Sequence, residues 1–311
     1  MKIFSGTTNY ELASKIAQNL EEFFQESNQL EFLKIDKFSD GEILPRFSKS
    51  IRNEDVVFIQ STISSDSIME TLLVVDAAKR AGCNSFTLVA PFQGYSRQDK
   101  TDHLRSSIGS KMLSDILEKV GVTRLITIDL HQNTIQGFYN IPVIHLNGNK
   151  IFLNYIKSLN LEDLVICSPD QGAIKKNTDF ARAFPDATFA VINKKRIKPN
   201  EIHSMELIGD VMGKNVLILD DLADTLGTLK KASELLHLNG AKSIRAIATH
   251  PVLSGNAYKN LEDSKLTELI VSDTIPSVFS DKLKVISCAE LISNTILRLE
   301  TKKSIHEINE I

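Results

Sequence analysis

The chain has 311 residues, 42% hydrophobic and 24% charged, and its 39 acidic against 36 basic side chains leave a net charge of −3. At about 150 residues per domain this length predicts two domains with ample cores, and the average composition disfavours collagenous, disordered and membrane-embedded classes. The acidic balance disfavours a nucleic-acid binder, and three scattered cysteines, Cys83, Cys167 and Cys288, suit neither a disulfide framework nor a zinc cluster, which points to a reducing, cytoplasmic setting.

The opening MKIFSGTTNYELAS runs from Ile3 and Phe4 straight into Ser5, Gly6 and Thr7, which predicts no secretory leader. No stretch approaches the roughly 18 apolar residues of a membrane helix. Short Val- and Ile-rich runs predict strands at 56–60, 86–90, 125–129, 164–167, 189–193, 216–219 and 244–248. Amphipathic stretches alternate with them, spaced by threes and fours at Met69, Leu72 and Leu73 and again at Leu229, Ala232, Leu235 and Leu236. This alternation predicts βαβ units and an α/β fold with largely parallel sheets. The polar turn 147–150 separates a domain 1–149 from a domain 150–311, with a helix starting near Ile151. A last amphipathic helix, at 291–299, packs on either domain for all the sequence says.

The stretch VFIQSTISSDS from Val57, its helix and the next strand resemble VLILDDLADT from Val216 with its own helix and strand. Gly82 and Gly240 fall at nearly the same offset. A duplicated domain explains this, and so does the likeness any two βαβ units share. Only the second copy concentrates acids and hydroxyls, with Asp220, Asp221, Asp224, Thr225, Gly227 and Thr228 where the first has Gln60, Ser61, Thr62 and Asp66. The second copy is therefore the expected working site.

Ligands of open α/β sheets bind beyond the carboxyl ends of strands, where a helix N-terminus offers unpaired N–H groups to a phosphate. Thr225, Gly227 and Thr228 suit that cradle, and Asp220 and Asp221 suit sugar hydroxyls or a hydrated Mg²⁺. A sugar phosphate satisfies both halves. The plainer reading, an Asp or Thr capping a structural helix, accounts for one of each but not for three acids in five positions.

The segment DDLADTLGT (220–228) resembles the phosphoribosyl diphosphate loop of the type I phosphoribosyltransferase-like fold. The rest of the chain is similar to the ribose-phosphate diphosphokinase family through FSDGE (38–42), GYSRQD (94–99), DLH (129–131), IQGFYNIPV (135–143), SPDQG (168–172), NKKR (193–196) and ATHPVLSG (248–255). The resemblance implies two similar phosphoribosyltransferase-like α/β domains. It also implies Mg²⁺-dependent transfer of the diphosphoryl group of ATP to the C1 hydroxyl of ribose 5-phosphate.

By the same resemblance Lys194 is the main catalytic cation and Arg196 its partner; by themselves they read rather as a solvated basic run. Phe38, Asp40, Gly41, Glu42, Arg97, Gln98, Asp99 and His131 are the implied ATP contacts, and Asp220, Asp221, Asp224, Thr225, Leu226, Gly227 and Thr228 the implied ribose 5-phosphate contacts. His131, Asp170 and Asp129 are the implied metal ligands. In the family the 38–42 loop serves a neighbouring subunit, which implies a homo-oligomer, commonly a hexamer built of dimers, with no nucleic-acid or membrane partner.

Several positions depart from the family pattern. Asn140 and Asn193 replace aspartates, Ala173 a glycine and Ile197 a proline, and Ile144 stands at a usually polar position of the phosphate and ADP regulatory site. The phosphate-covering loop carries Asp102 and Leu104 beside Lys100, Arg105 and Lys111, so turnover is expected to differ. Two other readings are a weak or inactive regulatory homologue of the synthase and a phosphoribosyltransferase.

Overall fold

A parallel sheet covered on both faces by helices needs strands that are apolar nearly throughout, and in the strand Asp55–Ile59 every residue after Asp55 is buried. The computed structural model describes residues 1–24, 30–101, 103–169, 174–198 and 201–309. Unit 1 comprises Met1–Asn147, Thr274–Pro276 and Cys288–Asn309; unit 2 comprises Gly148–Asp273 and Ser277–Ser287.

Unit 1 runs β1 (Lys2–Ser5), α1 (Tyr10–Phe24), β2 (Leu33–Lys37), β3 (Ile43–Phe47), β4 (Asp55–Ile59), α2 (Ser65–Arg80), β5 (Ser85–Ala90), α3 (Gly109–Val120), β6 (Arg124–Ile128), a 3₁₀ helix (Asn133–Phe138) and β7 (Val143–Leu146). Its sheet has the order β1-β4-β5-β6-β7, parallel throughout. β2 and β3 form a separate antiparallel hairpin. Phe4, Phe58, Phe86, Val74 and Leu113 pack one face of the core.

Unit 2 runs α4 (Asn149–Ser158), β8 (Leu164–Ser168), α5 (Ile174–Ala181), β9 (Thr188–Lys198), β10 (Glu201–Ile208), β11 (Asn215–Ala223), α6 (Gly227–Leu238), β12 (Ser243–Pro251), α7 (Ala257–Asp263), β13 (Glu268–Ser272) and β14 (Leu283–Ile286). The sheet order is β10-β9-β8-β11-β12-β13-β14, with β10 antiparallel and the other neighbours parallel. The chain then re-enters unit 1 as α8 (Ala289–Glu300) and α9 (His306–Asn309). The Asn19 side chain of α1 donates to Ser293 of α8 at 3.2 Å.

Both units are α/β with a mainly parallel sheet flanked by helices, and they repeat one succession: a strand, an antiparallel pair, then four parallel strands. In unit 2 the strand order reverses between β8 and β11, which creates a crevice at their carboxyl ends. Unit 1 has its counterpart between β1 and β4, since the chain entering β2 bridges β1 from the other side, with Glu31 N–H donating to the Ile3 carbonyl at 2.8 Å.

Several strands end elsewhere than the sequence suggests, β12 among them at Pro251, and at three the cause is plain. β9 continues to Lys198 because it pairs with β10, so Lys194 and Arg196 lie within a strand rather than after one. β11 continues to Ala223 because Asp220, Leu222 and Ala223 still pair with Ala248, His250 and Pro251 of β12. β6 stops at Ile128, because Asp129 turns into left-handed backbone at φ 42°. Among the described residues no helix is long and apolar enough to cross a membrane.

Candidate active site

Asp220 and Asp221 form the half-buried end of β11, and the Asp221 N–H holds the Asp220 carboxylate through Oδ1 at 2.9 Å. The loop beyond is pinned from the far side. Leu253 N–H donates to the Ala223 carbonyl at 2.9 Å, Ser254 Oγ to Asp224 Oδ1 at 2.5 Å and Asn260 Nδ2 to the Thr225 carbonyl at 2.8 Å.

Leu226 turns this loop into α6. Its backbone is left-handed, φ 60° and ψ 5°, which costs a branched residue about 1–2 kcal/mol. The cost is offset by burial: Leu226 is 4% exposed, in a cluster with Ile218, Ala223 and Leu229. No side chain caps the helix, so the expected alternative of an Asp or Thr N-cap is not realised. A Cβ placed on Gly227 would meet only Thr225 Oγ1, at 3.9 Å. An uncapped helix N-terminus with open space before it and hydroxyls beside it suits a phosphate, and the strand-end carboxylates suit hydroxyl donors.

The crevice between β8 and β11 is tied by Asn177, a residue with no sequence signal. Its buried amide donates to Ser168 Oγ at 2.8 Å and to the Leu219 carbonyl at 3.4 Å. Asp170 lies outside the described residues. Lys194 and Arg196 stand opposite Met205 and Ile202 in the hairpin register, and their side chains lie outside the description.

In unit 1, Asp129 is buried and His131 exposed just after β6. Asp129 N–H donates to the Leu146 carbonyl at 3.1 Å, and Leu130 N–H donates to His145 Nε2 at 2.9 Å. Because Nε2 accepts, the imidazole proton sits on Nδ1, 3.3 Å from the Gln136 amide nitrogen, which itself donates to the Asn133 carbonyl at 3.1 Å. His145 of β7 thus holds the turn between the two candidate ligands. Sequence reading missed it, since a lone histidine in a strand carries no motif.

Arg97 and Gln98 are exposed and Asp99 half-buried, in a turn closed by Gln98 N–H on the Tyr95 carbonyl at 2.8 Å. Gly109 lets this turn cross the start of α3: a Cβ there would lie 2.6 Å from Gln98 Oε1. Beyond the turn Leu104 is fully open to solvent and Lys111 is paired with Asp115. Phe38, Asp40, Gly41 and Glu42 form the exposed tip of the β2–β3 hairpin. Gly41 is left-handed there at φ 98°, and Asp40 Oδ1 accepts the Glu42 N–H at 3.0 Å. Among the described residues no three His, Cys, Asp or Glu side chains gather as a metal site.

Known proteins match this chain along its length. The family model described as the N-terminal domain of ribose phosphate pyrophosphokinase matches residues 1–121, and the phosphoribosyl synthetase-associated domain matches residues 153–309. A ribose-phosphate pyrophosphokinase of Porphyromonas gingivalis is 44% identical over 306 residues, covering 97% of this chain and 96% of the relative. That of Oceanobacillus iheyensis is 39% identical over 310 residues, covering 98% and 96%. The crystal structure of phosphoribosylpyrophosphate synthetase from Mycobacterium smegmatis superimposes with a TM-score of 0.87 at 32% identity, covering 97% of this chain and 99% of that one.

Proposed function

Because the chain belongs to the ribose-phosphate pyrophosphokinase family, a family of transferases, we propose that it moves the diphosphoryl group of ATP to the C1 hydroxyl of ribose 5-phosphate. A bond forms between the C1 oxygen and the β-phosphorus as the bond from that phosphorus to the bridging α–β oxygen breaks. AMP leaves with the bridging oxygen, and 5-phosphoribosyl 1-diphosphate remains.

The observation that carries this reading is the 220–228 loop. The uncapped N-terminus of α6, with Thr225 and Thr228, receives the 5-phosphate, while Asp220 and Asp221 accept the ribose hydroxyls. Such a transfer spreads charge over phosphate oxygens, so the chain supplies cations and donors rather than a covalent nucleophile. Lys194 and Arg196 are assigned that task. Arg97, Gln98, Asp99 and His131 hold the nucleotide phosphates, and the exposed tip of the β2–β3 hairpin presents Phe38 to the adenine of a neighbouring subunit's ATP.

Asp129 and His131, with Asp170, would hold Mg²⁺. Few protein donors without a closed cage suit an ion that keeps its waters and binds with nucleotide. When bound, Mg²⁺ neutralises phosphate oxygens. The proposal includes a cytoplasmic homo-oligomer, most simply a hexamer built of dimers. A phosphoribosyltransferase reading leaves unit 1 without a task, although the likeness to synthases spans both units.

The test is to mix purified protein with ATP, Mg²⁺ and ribose 5-phosphate and to follow AMP by chromatography. AMP forming only when ribose 5-phosphate is present is the expected result. No AMP from folded protein would leave the regulatory homologue as the better account.

A further inference from the structure

Unit 1 has its own crevice, where β1 meets β4, and its own counterpart of α6 in α2. The two copies are finished differently. Whereas α6 is uncapped, α2 is closed by a reciprocal pair: Ser64 Oγ accepts the Ser67 N–H at 3.2 Å and Ser67 Oγ accepts the Ser64 N–H at 2.9 Å.

The turn after β1 is likewise satisfied from within. Thr7 donates its N–H to Glu70 Oε1 at 2.8 Å and its hydroxyl to Glu70 Oε2 at 2.6 Å. Thr8 N–H donates to Gln60 Oε1 at 3.0 Å. Asn9 Oδ1 accepts the Ser61 N–H at 2.6 Å, and the Asn9 amide and Ser61 hydroxyl both donate to the Thr274 carbonyl. Glu70, on α2, is 5% exposed and Gln60 fully buried.

Gly6 records how tightly this is filled. A Cβ there would lie 2.3 Å from Gln60 Oε1 and 2.7 Å from Glu70 Oε1. In glycine loops that bind phosphate the missing Cβ lets ligand oxygens reach the backbone, and here the oxygens come from the chain itself. Gln60 Nε2 is buried there without a hydrogen-bond partner, one more donor in the same pocket.

We infer that unit 1 carries a second anion cradle, at the Gly6 to Asn9 turn, whose resident ligand is the Glu70 carboxylate. The cradle takes a small oxyanion, and its occupation shuts this crevice to phosphate ligands. That the chain then holds one sugar-phosphate site instead of two rests on the reading of unit 2; the cradle does not.

Glu70→Ala empties the cradle, and acetate is the probe. Thermal unfolding is followed against acetate, with chloride at equal ionic strength as control. In Glu70→Ala, acetate at ten times its Kd raises the folded-to-unfolded ratio about elevenfold beyond the control, while the natural chain and Glu70→Gln respond to acetate as to chloride. Calorimetry with ribose 5-phosphate gives one site in the natural chain and a second, weaker one in Glu70→Ala. An acetate response in Glu70→Ala no larger than in the natural chain overturns the inference. Should Glu70→Ala not fold, Glu70→Gln decides: it keeps the volume and loses the charge, and a folded-to-unfolded ratio on the order of tenfold lower is expected. Equal stability of Glu70→Gln and the natural chain also overturns it. The acetate and Glu70→Gln readouts use neither turnover nor ribose 5-phosphate, so failure of the reading of unit 2 removes only the calorimetric arm.

Discussion

Leu226 sets two effects against each other, and their sizes fix an unusual order of variants. Truncating a buried leucine to alanine costs about 2–5 kcal/mol in lost transfer energy and cavity, and Leu226→Ala keeps the left-handed backbone strain because alanine still carries a Cβ. Leu226→Gly loses the same packing but releases about 1–2 kcal/mol of that strain. Against this stands glycine's usual handicap of roughly 0.5–1 kcal/mol relative to alanine. The balance leaves Leu226→Gly as stable as Leu226→Ala, or up to about 1.5 kcal/mol more stable. Binding should follow the opposite order, since two successive glycines before α6 loosen the donors that hold the 5-phosphate. Thermal midpoints and ribose 5-phosphate titrations on the natural chain and both variants test this. Leu226→Ala exceeding Leu226→Gly in stability by the ordinary margin would refute the claim that burial holds Leu226 in a strained backbone.

Further outcomes are expected at other positions. Lys194→Ala should leave circular dichroism and oligomer size unchanged while removing nearly all turnover; weakened ATP binding with turnover preserved would sink its assignment. Asp220→Asn combined with Asp221→Asn should weaken ribose 5-phosphate far more than ATP in calorimetry, and equal weakening would mean that the acids serve a shared metal. His145→Leu removes the acceptor of the Leu130 N–H, a loss of about 1–3 kcal/mol at that turn, so KM for ATP should rise more than kcat falls; His145→Gln, which keeps an oxygen near Nε2, should recover part of it. Glu31 is held below its ordinary value by the hydrogen bond from Lys49 at 3.2 Å and then by Lys2. Its stabilisation is complete above about pH 4.5, the usual carboxylate range, and is lost as pH falls through the lowered folded value; Glu31→Gln should therefore flatten the acid side of the stability profile in denaturant titrations.

The βαβ alternation was legible because the buried parallel strands β4, β5 and β11 contain short apolar runs, at 56–59, 88–90 and 216–219. The β2–β3 hairpin was not, since its apolar residues alternate with Lys34, Asp36 and Arg46 instead of forming a continuous run, and its strands pair mainly with each other. The basic run from Lys194 concealed a strand for the same reason: pairing with β10, not hydrophobicity, extends β9. At the candidate site the 220–228 loop stood out through its acids and hydroxyls. The left-handed turn at Leu226 did not, because leucine is among the last residues expected there. Asn177 and His145 act through hydrogen bonds that the fold brings together from separate segments, and no local pattern announces such contacts.

The return of α8 to unit 1 sets an order of events during synthesis. Unit 2 is made second yet is complete once Ser287 has emerged, whereas α1 must wait for Ser293 and its neighbours before its partner helix exists. At roughly 5–20 residues per second the wait after the first half emerges is on the order of ten to thirty seconds. During it, α1, which packs against α8 in the finished protein, has no partner helix to meet. A nascent chain stalled within unit 2 would thus be the form most in need of a chaperone, and a fragment ending at Asn147 would keep that need permanently.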